Sequence, residues 1–135
     1  MNELIPFYEP GDRITGHNAN AGTIPGKRLV AIAANRQPGP ELTTDGLGGN
    51  IVINFPTAGG RVFGVTSHDV PSGGKVTIVR GPGFVVPIKA AAALTAGAEV
   101  DTDAQGQVVA HAAGVAVGFV VDGCASGEDA QVALY

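Results

Sequence analysis

Glycine and proline interrupt this chain so often that its apolar runs are all short. There are 21 Gly and 9 Pro in 135 residues. From Lys27 onward each run is bounded by Gly, Pro, Asn or Asp, the pattern of strands joined by tight turns. Nine strands are expected, at Lys27–Ala34, Asn50–Phe55, Arg61–Ser67, Lys75–Arg80, Phe84–Lys89, Ala98–Asp101, Gln107–His111, Val115–Val121 and Ala130–Tyr135. So many short strands point to an all-β fold, a compact small barrel or sandwich. Val, Ala and Ile supply most of the apolar content, and small β-branched side chains suit a pleated core. Lys89–Leu94, with its consecutive alanines, is the one stretch expected to form a helical turn.

Within the strands, Pro87 removes a ladder donor, which places Phe84–Lys89 at a sheet edge or at a bulge. The segment from Pro38 to Asn50 is the longest loop and is expected to be mobile. Pro6, Pro10 and Pro25 keep the beginning of the chain out of a helix. Residues 1–26 therefore read as an extended arm, Met1–Pro10, with its lead-in, and residues 27–135 as a single β-rich domain.

An internal echo runs through the second half. Gly64-Val65-Thr66 and Gly118-Phe119-Val120 lie 54 residues apart, and the same offset places Ser72-Gly73 on Ser126-Gly127 without a gap. The turn grammar recurs at Pro10-Gly11, Ser72-Gly73, Ala96-Gly97 and Ser126-Gly127, each Gly being free to adopt a positive φ. Two full copies are too few for a solenoid.

Charge restricts the function classes. The net charge of −4 is unlike that of a domain built to bind phosphate backbones. Its distribution is uneven: residues 61–90 carry Arg61, Lys75, Arg80 and Lys89 against Asp69, whereas residues 91–135 carry six acids and no base. Opposite-signed segments suit a head-to-tail ring of subunits; pairing within one subunit, or plain solvation, explains them equally well. There is no signal peptide pattern and no apolar run approaching the roughly 20 residues of a membrane helix. A soluble protein made in a cytoplasm is expected. Cys124 is the single cysteine, so no intrachain disulfide and no cysteine-rich metal site can form.

The apparent chemical motifs fail on spacing. Ser67-His68-Asp69 holds the residue types of a hydrolase triad, but they are contiguous, and strand alternation is expected to keep Ser67 and His68 apart. Asp101-Thr102-Asp103-Ala104-Gln105-Gly106 begins like a calcium loop and then lacks the later ligands, with Ala112 at the position of the bidentate Glu. A hairpin turn accounts for the same residues. Gly46-Leu47-Gly48-Gly49 has no helix after it to bind an anion. His17, His68 and His111 lack zinc-like spacing. No catalytic residue, metal ligand or cofactor is expected. Leu4, Ile5, Phe7 and Tyr8 are large side chains crowded ahead of the β-rich body. They either fold back to close its end or dock on a partner, for instance by strand addition.

The stretch from Arg61-Val62-Phe63-Gly64-Val65 through Pro71-Ser72-Gly73-Gly74-Lys75-Val76 and Arg80-Gly81-Pro82-Gly83 resembles the capsid decoration, or cement, proteins of tailed bacteriophages. The likeness continues through Ala93-Leu94-Thr95-Ala96-Gly97 and Gly114-Val115-Ala116-Val117-Gly118-Phe119 to Ala125-Ser126-Gly127 and the end at Tyr135. It implies a non-enzymatic virion protein on the outer capsid surface. Such a protein binds the major capsid protein, assembles as a homo-trimer and needs no nucleic acid, membrane or cofactor. On that reading Leu4, Ile5, Phe7 and Tyr8 form a capsid-binding arm, and Arg61, Lys75, Arg80 and Lys89 make subunit or capsid contacts. A β-rich carbohydrate-binding or adhesion module is the alternative, although the absence of Trp deprives it of the usual sugar-stacking platform.

Overall fold

The computed structural model describes residues 14–36 and 50–135. Met1–Pro10, the Pro38–Gly49 part of the long loop and Gly11 of the first turn lie outside these residues. Ten strands are present: β1 Ile14–Asn18, β2 Leu29–Ala34, β3 Ile51–Asn54, β4 Gly64–Thr66, β5 Lys75–Val79, β6 Val85–Lys89, β7 Glu99–Thr102, β8 Val108–Ala110, β9 Gly118–Asp122 and β10 Asp129–Leu134. The first five close a barrel in the order β1-β3-β2-β4-β5, and the rest form a sheet in the order β6-β10-β9-β7-β8. All pairings are antiparallel except that of β1 with β3. The described residues contain no helix, hence none long and apolar enough to cross a membrane.

Nine of the ten strands fall where the apolar runs place them, most of them shorter at one or both ends. The tenth, β1, lies in the stretch read as lead-in. Its inward positions are Ile14, Gly16 and Asn18, and only the first is a conventional core residue. Gly16 fits because the barrel is narrow: a Cβ there would sit 3.1 Å from Ile78 and 3.2 Å from Ile53. Asn18 is buried, but its amide donates to the carbonyls of Gly22, Val70 and Pro71, while its Oδ1 accepts from the Asn20 N–H. A buried polar group satisfied this fully costs little.

The expected helical turn at Lys89–Leu94 is absent. The N–H groups of Ala90, Ala91 and Leu94 donate instead to Glu128, Val108 and Cys124. Long-range pairing overrides the modest intrinsic preference of alanine for helix. As Pro87 requires, β6 is an edge strand, paired to β10 alone.

The barrel and the second sheet share a wall. On β2, Val30 points into the barrel with Ile14, Ile24, Ile53, Val70, Val76 and Ile78. Its neighbour Leu29 points the other way, into a core built with Ile88, Val100, Val108, Val120, Val132 and Leu134 of the second sheet. On β4 the same alternation puts Val65 on the sheet side and Gly64 against Ile78 of the barrel. The period of two thus buries the start of β2 on both faces, through Leu29 and Val30, while Ile32–Ala34 are exposed. Backbone bonds reinforce the wall: Leu29 N–H to Gly106 (2.8 Å), Gly59 N–H to Thr102 (2.8 Å) and Lys89 N–H to Lys27 (3.1 Å).

The internal echo is physical. β4 pairs with β5, and β9 with β10. A Cβ on Gly64 would meet the Val79 carbonyl at 2.6 Å, and one on Gly118 the Ala133 carbonyl at 2.2 Å, which are equivalent positions. The recurrent turns are also alike. Gly74, Ala98 and Glu128 donate to Pro71, Thr95 and Ala125 respectively, and the third residue of each turn is Gly73, Gly97 or Gly127, at φ 75°, 88° and 85°. These are type II turns, whose third position demands a positive φ.

Candidate binding surface

The second sheet packs one face on the barrel and leaves the other open. Register places Val85 beside Ala133 and Ala133 beside Phe119, with Glu99 on the far side of Phe119. Alternation adds Val121 and Tyr135 to the same face. Val85 is 52% exposed, Phe119 41%, Val121 46% and Tyr135 54%. The Phe119 and Tyr135 rings lie 6.2 Å apart, and the Tyr135 hydroxyl donates to Glu99. That bond raises the tyrosine pKa above its usual 10.0, with smaller contributions from burial and from the Glu99 charge. Asp122 closes β9 beyond Val121.

At its Tyr135 end the face runs into a cleft between sheet and barrel, lined by Arg61, Phe63, Arg80, Val115 and Tyr135 among others. Its volume of about 180 Å³ is below the ~300 Å³ at which small-molecule pockets begin, and it suits one or two inserted side chains. The Arg80 guanidinium stacks 4.3 Å from the Phe63 ring centre, which holds it in place at the rim.

Of the four cations named from the sequence, the fold therefore gathers Arg61 and Arg80. Lys75 lies at the far end of β5 beside His17, and Lys89 ends β6 beside Asp129. None of the four forms an ion pair with a described residue. Asp129 is instead paired with Lys27, at 2.6 Å, an exposed contact worth little. Leu4, Ile5, Phe7 and Tyr8 lie outside the described residues.

The motif Ser67-His68-Asp69 needs a correction. β4 ends at Thr66, so strand alternation does not govern the next two residues, and Ser67 Oγ lies 2.9 Å from His68 Nδ1. The third member is spent elsewhere: Asp69 accepts the Gly26 N–H at 2.8 Å. All three residues are exposed, and a nucleophile–base pair without an orienting group or a water-excluding pocket does not make a triad.

The aspartates of the calcium-like stretch serve the β7–β8 hairpin. Asp103 Oδ1 accepts the N–H groups of Gln105 (2.9 Å) and Gln107 (2.8 Å), an Asx-type turn. Asp101 is buried and takes His111 Nδ1–H at 2.6 Å, together with the N–H groups of Ala112 and Gly114 at 3.2 Å each. Burial pushes the Asp101 carboxyl up, but those bonds and the histidine charge outweigh it and leave the pKa below 3.8. The bond to Asp101 raises the His111 pKa above 6.5, against a smaller opposing effect of burial. This pair was not legible in the sequence, because positions 101 and 111 face each other only once the hairpin forms. It braces the segment that leads to Val115, one wall of the cleft.

The fold and surface define a class: an all-β body on which Val85, Phe119, Val121 and Tyr135 share one exposed sheet face. The family model of phage cement proteins matches residues 8–135, and the chain belongs to that family. It is a structural protein of the phage particle. Among solved structures it is similar to the head fibre gp8.5 N base of bacteriophage phi29, with a TM-score of 0.68 and 16% identity over 92% of this chain and 93% of that one. At that identity the likeness is one of fold. No curated protein matches the chain.

Proposed function

We propose that this protein binds the outer surface of a phage capsid as a homo-trimer and stabilises the shell by bridging major capsid protein subunits. The family match over nearly the whole chain carries the reading. The rigid double-core body and the open apolar face support it, because a cement protein needs stiffness and complementary surface rather than chemistry. Many weak contacts repeated over a lattice give avidity. On this reading Leu4, Ile5, Phe7 and Tyr8 dock on neighbouring capsid subunits, Lys75 and Lys89 contribute peripheral contacts, and the protein has no catalytic role.

The test is decoration of undecorated shells followed by cryo-electron microscopy. The full chain is expected to occupy the outer lattice and to raise the temperature at which shells rupture. A variant lacking residues 1–10 is expected to lose most of its occupancy. Unchanged occupancy would remove the arm from the mechanism, and a full chain that leaves shells bare would overturn the reading as a whole.

A further inference from the structure

The cleft beside Tyr135 is one part of a longer groove. A second hollow of about 320 Å³ is bounded by Ala31 and Ile32 and, like the first, by Arg61, Val62, Phe63 and Arg80. The two hollows therefore meet at the arginines. Along the groove the surface is apolar, then cationic, then apolar: the exposed side chain of Ile32 stands at one end, those of Val115 and Tyr135 at the other, and Arg61 and Arg80 between them. Two like charges in one groove repel each other, yet neither arginine is ion-paired with a described residue. Glu99, which reaches the wall of the groove, accepts the Tyr135 hydroxyl instead. The Arg80 guanidinium is already held over the Phe63 ring, so less side-chain freedom is lost when an anion arrives.

We infer that this groove receives an acidic segment of the major capsid protein, with its carboxylates on Arg61 and Arg80, one apolar side chain against Ile32 and another in the cleft between Val115 and Tyr135. The inference rests on the capsid reading above and names the chemistry of its contact. Charge complementarity sets the sign of the occupant, because guanidinium groups covered by a partner lose their water at a cost that paired carboxylates offset. The surroundings set its class. A nucleic acid carries a charge on every nucleotide and would meet the six acids of residues 91–135, whereas a short peptide brings one or two carboxylates together with apolar side chains for the two hollows. Position points to the capsid. β1 begins at Ile14, which pairs with Ile78, two residues from Arg80. The root of the capsid-binding arm and the groove thus lie at the same end of the body, and an arm engaged on the shell brings the groove against it.

Photo-crosslinking on decorated shells identifies the occupant, using the full chain with a benzophenone side chain placed at Ile32 or at Val115. Both sites are expected to link to one segment of the capsid protein that holds one or two Asp or Glu between apolar residues. Links solely to residues 1–13, to a second copy of the chain, or to a capsid segment without an acid would overturn the inference. Affinity for undecorated shells is the second readout. Arg61→Gln/Arg80→Gln is expected to weaken binding at least about tenfold and to flatten its dependence on salt. Arg61→Lys/Arg80→Lys, which keeps the charge without the planar fork, is expected to recover part of that loss. Lys75→Gln/Lys89→Gln removes the same charge away from the groove and is expected to weaken binding less than about threefold. An equal loss in the two glutamine pairs would show an effect of net charge and overturn the groove. Arg61 and Arg80 are exposed, and circular dichroism checks that each variant folds. A wild type that decorates shells, together with an Arg61→Gln/Arg80→Gln chain that binds as tightly, would remove the groove and leave the capsid reading in place; a wild type that leaves shells bare would overturn both.

Discussion

Truncating Leu29 to alanine probes the shared wall directly. The side chain is fully buried and belongs to the core between barrel and sheet. Its backbone cannot move in to fill the gap: the N–H is held by Gly106 at 2.8 Å, and β2 is paired with β3 on one side and β4 on the other. Leu→Ala in buried sites costs about 2.7–5 kcal/mol, the larger values where the site does not collapse, so a loss of about 3.5–5 kcal/mol is expected. At ~2.1 cal/mol/K per residue the unfolding entropy of a chain this long is about 0.28 kcal/mol/K, which converts that loss to a fall in Tm of about 12–18 °C. The control is Ile32→Ala on the same strand, where the side chain is 52% exposed and the expected loss is under about 1 kcal/mol. Val30→Ala, one residue away but facing the barrel core, is expected to cost about 2 kcal/mol. Urea unfolding followed by circular dichroism gives each value. Native-state hydrogen exchange at Ile53 in the barrel and Val132 in the sheet then asks whether both cores open together. A Leu29→Ala loss below about 1.5 kcal/mol, or accelerated exchange confined to one core, would refute the shared wall.

Gly106 tests backbone geometry. It has φ 71°, and a Cβ would lie 2.3 Å from the Leu29 carbonyl, so Gly106→Ala is expected to cost about 2–4 kcal/mol. Gly127 has φ 85° with open space around it, and its alanine variant is expected to lose only about 1 kcal/mol by the same urea assay. The Asp101–His111 pair predicts a pH profile with two limbs. Because the folded His111 pKa is raised, its contribution is complete below 6.5 and is lost as pH climbs through the higher folded value. Because the folded Asp101 pKa is lowered, its contribution is complete above 3.8 and is lost as pH falls through the lower folded value. The urea midpoint of the wild type, compared with His111→Gln from pH 3 to 9, is expected to show the alkaline limb only in the wild type. Finally, ultraviolet titration of Tyr135 in a Tyr8→Phe background is expected to show ionisation above the usual 10.0, moving down in Glu99→Gln; an unmoved curve would break the Tyr135–Glu99 bond.

Much of the architecture was legible because turns announce themselves chemically. Gly73, Gly97 and Gly127 occupy a position that only a residue tolerant of positive φ can fill, so the repeated grammar marked real turns. Pro87 marked an edge because a proline cannot donate to a second neighbour. β1 escaped for the opposite reason. Its interior positions are a glycine, chosen for lack of room, and an asparagine, satisfied by three carbonyls, and neither looks apolar on the page. The alanines after Lys89 misled because their N–H groups are claimed by strands far away in sequence. The binding surface was legible only as a division of charge near residue 90. That Arg61 and Arg80 line one cleft with Phe63 while Lys75 and Lys89 stand apart depends on strand register, which composition does not carry.

The antiparallel pairing of β1 with β5 has a geometric consequence for the arm. It leaves Ile14 opposite Ile78, two residues from Arg80, so the preceding chain is anchored at the cleft end of the body. Ten residues separate Leu4 from Ile14, and a fully extended chain covers no more than about 3.6 Å per residue. Leu4 is therefore tethered within about 36 Å of the anchor, and Tyr8 within about 22 Å. On a decorated shell, any groove that receives these residues must open inside those radii, measured from Ile14.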